Sequence, residues 1–123
     1  MKALLKELRS LEIEDDLNSY WPESPDSFGS WIRAMIGPDN EEGAEYFDML
    51  ICTPKWLQGE LVKNDIFLGK GMIIIDEYDY DKIRAFIEKQ ITACYADNWP
   101  SITQKLSRIS FWEYEDYQFY LSK

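Results

Sequence analysis

The sequence predicts an α+β fold, in which a mostly antiparallel sheet of about four to five strands has helices packed against it. Residues 72–75 are four consecutive large apolar residues, a run typical of a central strand covered on both faces. Residues 28–36 and 45–52 alternate with the period of a strand around a Gly/Pro/Asn-rich break, which indicates an antiparallel hairpin. Residues 80–96 have apolar side chains at helical spacing, so we expect a helix to cover the sheet.

Length and composition predict one domain over residues 1–123. A chain of 123 residues with 46% hydrophobic residues can bury a core without metal or disulfide support. The formal net charge is −10, from 23 acidic and 13 basic residues. Such a charge repels nucleic-acid phosphates and anionic lipid headgroups. We therefore expect neither nucleic acid nor a membrane as a partner, and expect the partner surface to be basic.

The cysteine pattern argues against zinc and against disulfides. The chain has no histidine, and Cys52 and Cys94 lie in apolar segments outside any Cys-x-x-Cys pair. We expect two buried, reduced thiols. The first residues reach Lys6 and Glu7 before a signal-peptide apolar region could form, and no apolar run approaches the ~18 residues of a membrane span. These features predict a cytoplasmic protein.

The first half of the chain predicts three strands and a loop. Residues 2–9 fit either a strand or a short helix, and we favour a strand. Residues 12–16 are acidic and residues 21–26 are turn-rich, so we expect a loop there with an anchored aromatic residue. The strands of residues 28–36 and 45–52 follow, separated by the Gly/Pro-rich break.

The second half predicts helices around the central strand. Thr53 and Pro54 fit the cap and first turn of a short helix that ends at residues 63–65. Asp79 fits the N-cap of the helix over residues 80–96, and Asn98 precedes a further helix over residues 99–107. The expected buried face of the longer helix consists of Ile83, Phe86, Ile87, Ile91, Cys94 and Tyr95. Residues 111–117 alternate aromatic and acidic side chains, a pattern that predicts a last strand.

The acidic cluster of residues 76–81 is the one candidate for a metal or catalytic site. Carboxylate oxygens suit magnesium or calcium, but no Asp-x-Asp-x-Asp-Gly loop is present. Acids between a strand and a helix more often cap the helix and contact solvent. No nucleophile elbow, phosphate-binding glycine loop or Cys-His pair exists. We predict no catalytic residue, no cofactor and no metal, and keep a small enzyme or metal-binding protein as the alternative.

Binding to a protein partner is the better-supported class. Aromatic residues supply buried anchors and carboxylates meet arginine or lysine, a mixture that charged interfaces use. An alternative is that the aromatic residues are core and the acids only contact solvent. The candidate partner-binding residues are Glu41, Glu42, Asp76, Glu77, Asp79, Trp112, Glu113, Glu115 and Asp116.

Several motifs, taken in order, resemble a known family. These motifs are Ile36-Gly37-Pro38 with Glu41-Glu42-Gly43, Phe47-Asp48 with Cys52-Thr53-Pro54-Lys55-Trp56-Leu57, Glu77-Tyr78-Asp79-Tyr80, Lys105-Leu106-Ser107-Arg108-Ile109 and Trp112-Glu113-Tyr114-Glu115-Asp116-Tyr117. Together they are similar to the immunity protein 8 family of bacterial polymorphic toxin systems. The resemblance implies a small cytosolic protein that binds and neutralises a cognate toxin. It implies no catalytic residues. Nuclease toxins are commonly basic because they hold phosphates, which agrees with an acidic inhibitor that occludes the toxin's active site.

Overall fold

The computed structural model describes residues 1–115, and all structural statements refer to them. Five strands and three helices form an α+β arrangement, with one mixed and mostly antiparallel sheet. In chain order the elements are β1 (Ala3–Ser10), β2 (Gly29–Pro38), β3 (Glu45–Cys52), α1 (Pro54–Asn64), β4 (Met72–Ile74), α2 (Tyr80–Thr92), α3 (Trp99–Leu106) and β5 (Phe111–Trp112). The predicted fold class and the strand at residues 2–9 are confirmed.

The β2–β3 hairpin is the centre of the sheet. The two strands are antiparallel, with Ile32 opposite Met49 and Ala34 opposite Phe47. These four side chains point to one face and are almost completely buried, since strand residues two apart share a face. β1 pairs antiparallel with β2 on one side, so the order is β1-β2-β3-β4. The predicted hairpin is confirmed.

β4 is at the edge of the sheet, and the prediction of a central strand buried on both faces is wrong. β4 pairs in parallel with the last residues of β3 and has no second neighbour among the described strands. Ile74 is 56% exposed, and Met72 and Ile73 are only half-buried. The run of four apolar residues therefore belongs to an unusually apolar edge strand. The length and composition of the run alone could not distinguish such a strand from a buried one.

The last strand is shorter than predicted. β5 contains only Phe111 and Trp112, which pair antiparallel with Asp48 and Phe47 of β3. The chain then turns over residues 113–115, where the Glu115 N–H donates to the Trp112 carbonyl at 3.0 Å. The strand prediction is wrong for residues 113–115, and its last two residues lie outside the described part.

Side-chain caps fix the starts of all three helices, as the sequence predicts. The side chains of Thr53, Asp79 and Asn98 accept hydrogen bonds from backbone N–H groups in the first turns of α1, α2 and α3. α2 and α3 cover one face of the sheet, and Ile83, Ile87, Ile91, Ile102 and Leu106 enter the same core as β1, β2 and β3. Each cap satisfies orphan amide groups that the helix itself cannot pair.

Two predicted core residues of the longer helix are on the surface. The prediction that this helix reaches residue 96 is wrong, since α2 ends at Thr92, and Tyr95 beyond it is 66% exposed. Phe86 is 47% exposed because the buried stripe of α2 contains only Ile83, Ile87 and Ile91. Cys52 and Cys94 are free and buried, and burial raises the pKa of both thiols.

Candidate partner-binding surfaces

One end of the sheet collects the longest loop and the start of α2. β1 and β3 end there, β2 begins there, and β4 leads from there into the 75–79 elbow. The loop over residues 11–28 connects β1 to β2 across this end. The elbow and the loop are far apart in sequence, so the contact between them is a tertiary one.

Tyr78 joins the loop to the elbow. Its ring is 2% exposed, its hydroxyl donates to the Leu17 carbonyl at 2.7 Å, and its N–H donates to the Pro25 carbonyl at 2.7 Å. The ring centroid is 4.7 Å from that of Phe28 and 6.1 Å from that of Trp21. Burial, followed by nearby Tyr and Asp groups, raises the pKa of Tyr78 to about 12. The hydroxyl therefore keeps its proton and its donor role at neutral pH.

The acids of the loop, of the elbow and of the first turn of α2 form one surface, which we call the acidic face. Its ten carboxylates are those of Glu12, Glu14, Asp15, Asp16, Glu23, Asp26, Asp76, Glu77, Asp79 and Asp81. All are exposed except Asp79, which is half-buried. The bases at this end are Arg9, Lys55, whose Nζ is 3.4 Å from Asp26 Oδ2, and Lys82. The acidic face therefore has a strong negative excess.

Two predicted site residues on this face also stabilise the elbow. An Asp76 carboxylate oxygen accepts the Glu77 N–H at 2.9 Å, and Asp79 accepts the Lys82 N–H at 3.2 Å as the cap of α2. Each carboxylate has further acceptor positions, so these bonds leave it able to receive a donor from a partner.

An exposed tryptophan lies within the acidic face. Trp21 is 66% exposed and contacts the edge of the Tyr78 ring, which holds the indole beside the elbow. Sequence reasoning identified the aromatic residue of this loop but did not join the loop acids to the elbow. The available signal was the concentration of acids in residues 12–26, and the missing information was the long-range contact of Tyr78.

The opposite end of β3 carries the other predicted candidates. Glu45, the first residue of β3, receives the indole N–H of Trp99 at 2.6 Å and that of Trp112 at 3.1 Å. Trp112 also stacks on Phe47 with the rings 11° from parallel. Glu41 and Glu42 are exposed in the β2–β3 loop. The structure thus brings Glu41, Glu42 and Trp112 to one end of the sheet.

Two acids that follow Trp112 have partners within the chain. The Glu113 carboxylate accepts the Tyr46 N–H, and the Glu113 N–H donates to the Tyr46 carbonyl at 3.0 Å. Lys70 Nζ contacts both carboxylate oxygens of Glu115, at 2.9 and 2.8 Å. Asp116 lies outside the described residues. Glu113 and Glu115 therefore add contacts between the end of β5 and the rest of the chain.

Exposed apolar side chains follow α1 and border β4. α1 has no fully buried residue, and Val62, Ile66 and Leu68 are 81%, 82% and 84% exposed. After α1 the chain passes along a cleft of about 390 Å³, which lies between α1, the sheet and Phe111. Sequence reasoning gave this stretch no functional role. Its signal was the apolar triplet of residues 66–68 without a matching polar face.

A match to a family model agrees with the motif order in the sequence. The model described as Immunity protein 8 matches residues 5–117, which is most of the chain. The chain belongs to the immunity protein 8 family. Membership implies that it is an immunity protein and that its partner is a toxin. Comparisons with curated proteins and with solved structures find no match.

The distances between the candidate acidic residues limit which of them can act together in binding. Glu45 and Cys52 mark the two ends of β3, which are roughly 23 Å apart at about 3.3 Å per residue. Asp76, Glu77 and Asp79 lie near the Cys52 end, whereas Glu41, Glu42 and Trp112 lie near the Glu45 end. The predicted candidates thus form two separate groups.

Residues 1–115 contain neither a cluster of possible metal ligands nor a membrane-spanning helix. Among residues 1–115 no three His, Cys, Asp or Glu side chains converge as metal ligands. No helix in that range is long and apolar enough to cross a membrane. The acids of residues 76–81 are exposed or half-buried, and Asp79 caps α2, so nothing observed favours the enzyme or metal alternative.

Proposed function

We propose that the chain neutralises its cognate toxin in the cytoplasm by stoichiometric binding, with the acidic face docked on a basic surface of the toxin. A toxin that acts on nucleic acid, such as a nuclease, has such a surface where it holds phosphates. An acidic inhibitor seated there occludes the active site. No turnover by the immunity protein is required.

The observation that carries this proposal is the concentration of charge. The acidic face holds ten of the 23 acidic residues of the chain, in one loop, the first turn of α2 and the elbow that Tyr78 joins to the loop. Complementary charge of this kind raises association rates and orients the two proteins before contact. The other acidic end has fewer carboxylates, and Glu45 already binds two indoles there.

Trp21 supplies the apolar anchor. Tryptophan is enriched among residues that dominate binding energy, especially when surrounding groups exclude water from it. Trp21 is 66% exposed in the free chain, and its contact with Tyr78 holds it beside the elbow. In the proposed complex its indole packs against the toxin while the carboxylates pair with lysine or arginine around it.

The test compares two charge reversals that change net charge equally. Asp76→Lys with Glu77→Lys alters the acidic face, and Glu41→Lys with Glu42→Lys alters the opposite end. The first pair should weaken affinity for the cognate toxin by more than about tenfold, because desolvated charge pairs cost about 2–5 kcal/mol when broken. The second should change mainly the association rate, as charges outside an interface do.

Isothermal titration calorimetry or surface plasmon resonance with the catalytically inactive toxin domain measures the affinity of each variant. Circular dichroism shows whether the variants fold. Equal losses in both variants would assign the effect to net charge alone. A larger loss in the Glu41 and Glu42 variant would place the docking surface at the other end of β3.

A further inference from the structure

We infer that the free edge of β4 accepts an extended segment of the toxin, which adds to the sheet as one more strand. This inference rests on the proposed function and specifies a second part of the same interface. The acidic face would orient the toxin, and the β4 edge would bind it through main-chain hydrogen bonds. Binding by strand addition is a recurring mode of peptide recognition.

The outward side of β4 carries backbone groups without a partner among residues 1–115, apart from the Met72 N–H, which donates to the Gly69 carbonyl at 3.3 Å. The Leu50 N–H donates to the Gly71 carbonyl and the Ile75 N–H donates to the Cys52 carbonyl, so alternate residues from Gly71 to Ile75 face β3. Ile74, between those residues, faces away. Its N–H and C=O have no hydrogen-bond partner among residues 1–115. An edge of this kind is a template for a further strand.

The two edges of the sheet differ in how they are protected. β1, the opposite edge, carries Lys6, Glu7 and Arg9 and has a register shift between Leu5 and Glu7. Charged side chains and bulges of this type prevent edge-to-edge pairing. β4 consists of Met-Ile-Ile, with Ile74 56% exposed, and has no register shift. Within the described part of the chain the β4 edge is therefore open to pairing, whereas the β1 edge is protected.

Apolar clefts flank the β4 edge on both faces of the sheet. On the α1 face, Trp31, Leu50, Trp56, Phe67, Met72 and Phe111 line the cleft of about 390 Å³. On the α2 face, a second cleft of about 400 Å³ lies between Ile73, Ile75, Ile83 and Phe86. Successive side chains of a strand point to opposite faces. An added strand would therefore place alternate apolar residues in the two clefts.

Charge identifies the toxin, rather than a second copy of this chain, as the source of the strand. β4 runs directly into Asp76 and Glu77 of the acidic face, so a segment on its edge meets carboxylates as it passes the end of the strand. A second copy has the same net charge of −10 and brings the same acids to this edge. The segment that fits has apolar residues at alternate positions and a lysine or arginine where it reaches Asp76.

The test uses a same-site pair of variants in the full chain. Ile74→Pro removes the outward N–H without removing a bond to β3, since proline is tolerated on edge strands at outward positions. Ile74→Val keeps the N–H and a β-branched side chain. Titration against the catalytically inactive toxin domain should show about tenfold or more weaker binding for Ile74→Pro than for Ile74→Val, and the two should have similar melting temperatures.

If Ile74→Pro does not fold, amide hydrogen exchange of the parent chain tests the inference instead. The Ile74 N–H should exchange rapidly in the free chain and about tenfold or more slowly in the complex. Binding of the parent with no protection of Ile74, and equal affinity of the two variants, would overturn the strand addition and leave the proposed function intact.

Protection of Ile74 in the free chain would also overturn the inference. If that protection rose with protein concentration, a second copy would occupy the edge. If it were independent of concentration, the chain itself would cover it. Failure of the parent to bind the toxin at all would instead reject the proposed function.

Discussion

Tyr78 decides, at the scale of single residues, whether the acidic face exists as one surface. Its ring packs among aromatic residues of the loop, and its hydroxyl satisfies the carbonyl of Leu17 inside the molecule. A buried carbonyl that loses its donor costs about 1–3 kcal/mol. Loss of the hydroxyl would leave the Tyr78 N–H bond to the Pro25 carbonyl as the remaining hydrogen bond by which Tyr78 holds the loop to the elbow.

Tyr78→Phe should therefore destabilise the fold by about 1–3 kcal/mol, because the phenyl ring fills the site but cannot donate to Leu17. Urea denaturation of parent and variant measures the difference. Tyr95→Phe is the matched control, since Tyr95 is 66% exposed and the same change there should have little effect. Equal stability of the Tyr78 variant and the parent would show that the hydrogen bond contributes nothing net.

The pKa of Tyr78 predicts how stability depends on pH. Burial raises the pKa from 10.0 to about 12, so the folded state holds the proton more tightly than the unfolded state. The stabilisation is complete below pH 10 and is lost as the pH rises through about 12. About 2–3 kcal/mol corresponds to this shift. The parent should lose more stability than Tyr78→Phe over that interval, and parallel losses would contradict the assignment.

At the scale of secondary structure, α1 depends on its cap more than on its packing. None of its residues is fully buried, yet Thr53 before it is completely buried. The Thr53 hydroxyl accepts the Phe28 N–H at 3.0 Å and the Trp56 N–H at 3.4 Å, and it donates to the Phe28 carbonyl at 3.3 Å. One hydroxyl thus joins the start of α1 to the start of β2.

Thr53→Val should destabilise the fold by about 1–3 kcal/mol, because it keeps the shape of the side chain but leaves buried donors unpaired. Thr53→Ser keeps the hydroxyl and should retain most of the stability, which makes the pair a direct comparison. Thermal denaturation followed by circular dichroism gives both values. A valine variant as stable as the parent would show that the hydroxyl contributes nothing net, and a serine variant as unstable as the valine variant would show that the methyl group contributes as much as the hydroxyl.

Local sequence signals predicted most of the elements because their causes are local. The caps at Thr53, Asp79 and Asn98 and the alternation of β2 and β3 depend on neighbours in the chain. The position of β4 depends on which strand pairs with it, and no local pattern contains that information. The same reason explains β5, where a turn after Trp112 interrupts an alternating sequence.

The candidate site was less predictable than the fold. The sequence located acids beside aromatic residues but did not show that Glu113 and Glu115 would bind Tyr46 and Lys70. Nor did it show that Tyr78 would bring the loop of residues 11–28 to the elbow. Such groupings depend on contacts between distant segments. Whether the predicted residues contact the toxin remains a prediction.

At the scale of the whole molecule, charge and exposed apolar surface have different positions and different expected effects. The acidic face is at one end of the sheet, and the β4 edge with its two clefts leads away from it. Long-range charge acts on the rate of encounter and is screened by salt, whereas main-chain pairing and apolar contact act on dissociation. The two contributions can therefore be separated by kinetics.

The association rate of the parent chain with its toxin should fall steeply as salt is raised, while the dissociation rate should change little. The reason is that a Debye length of about 10 Å at 0.1 M salt falls to about 3 Å at 1 M, which screens the acidic face before contact. Stopped-flow mixing at several salt concentrations measures both rates. Asp76→Lys with Glu77→Lys is the internal control and should show a weaker salt dependence of association.

In cells, the same binding mechanism predicts that growth rescue requires immunity protein at least equal in amount to toxin, because each molecule blocks one active site. Rescue by immunity protein far below the amount of toxin would require turnover and would reject stoichiometric neutralisation, even if the salt dependence were as expected.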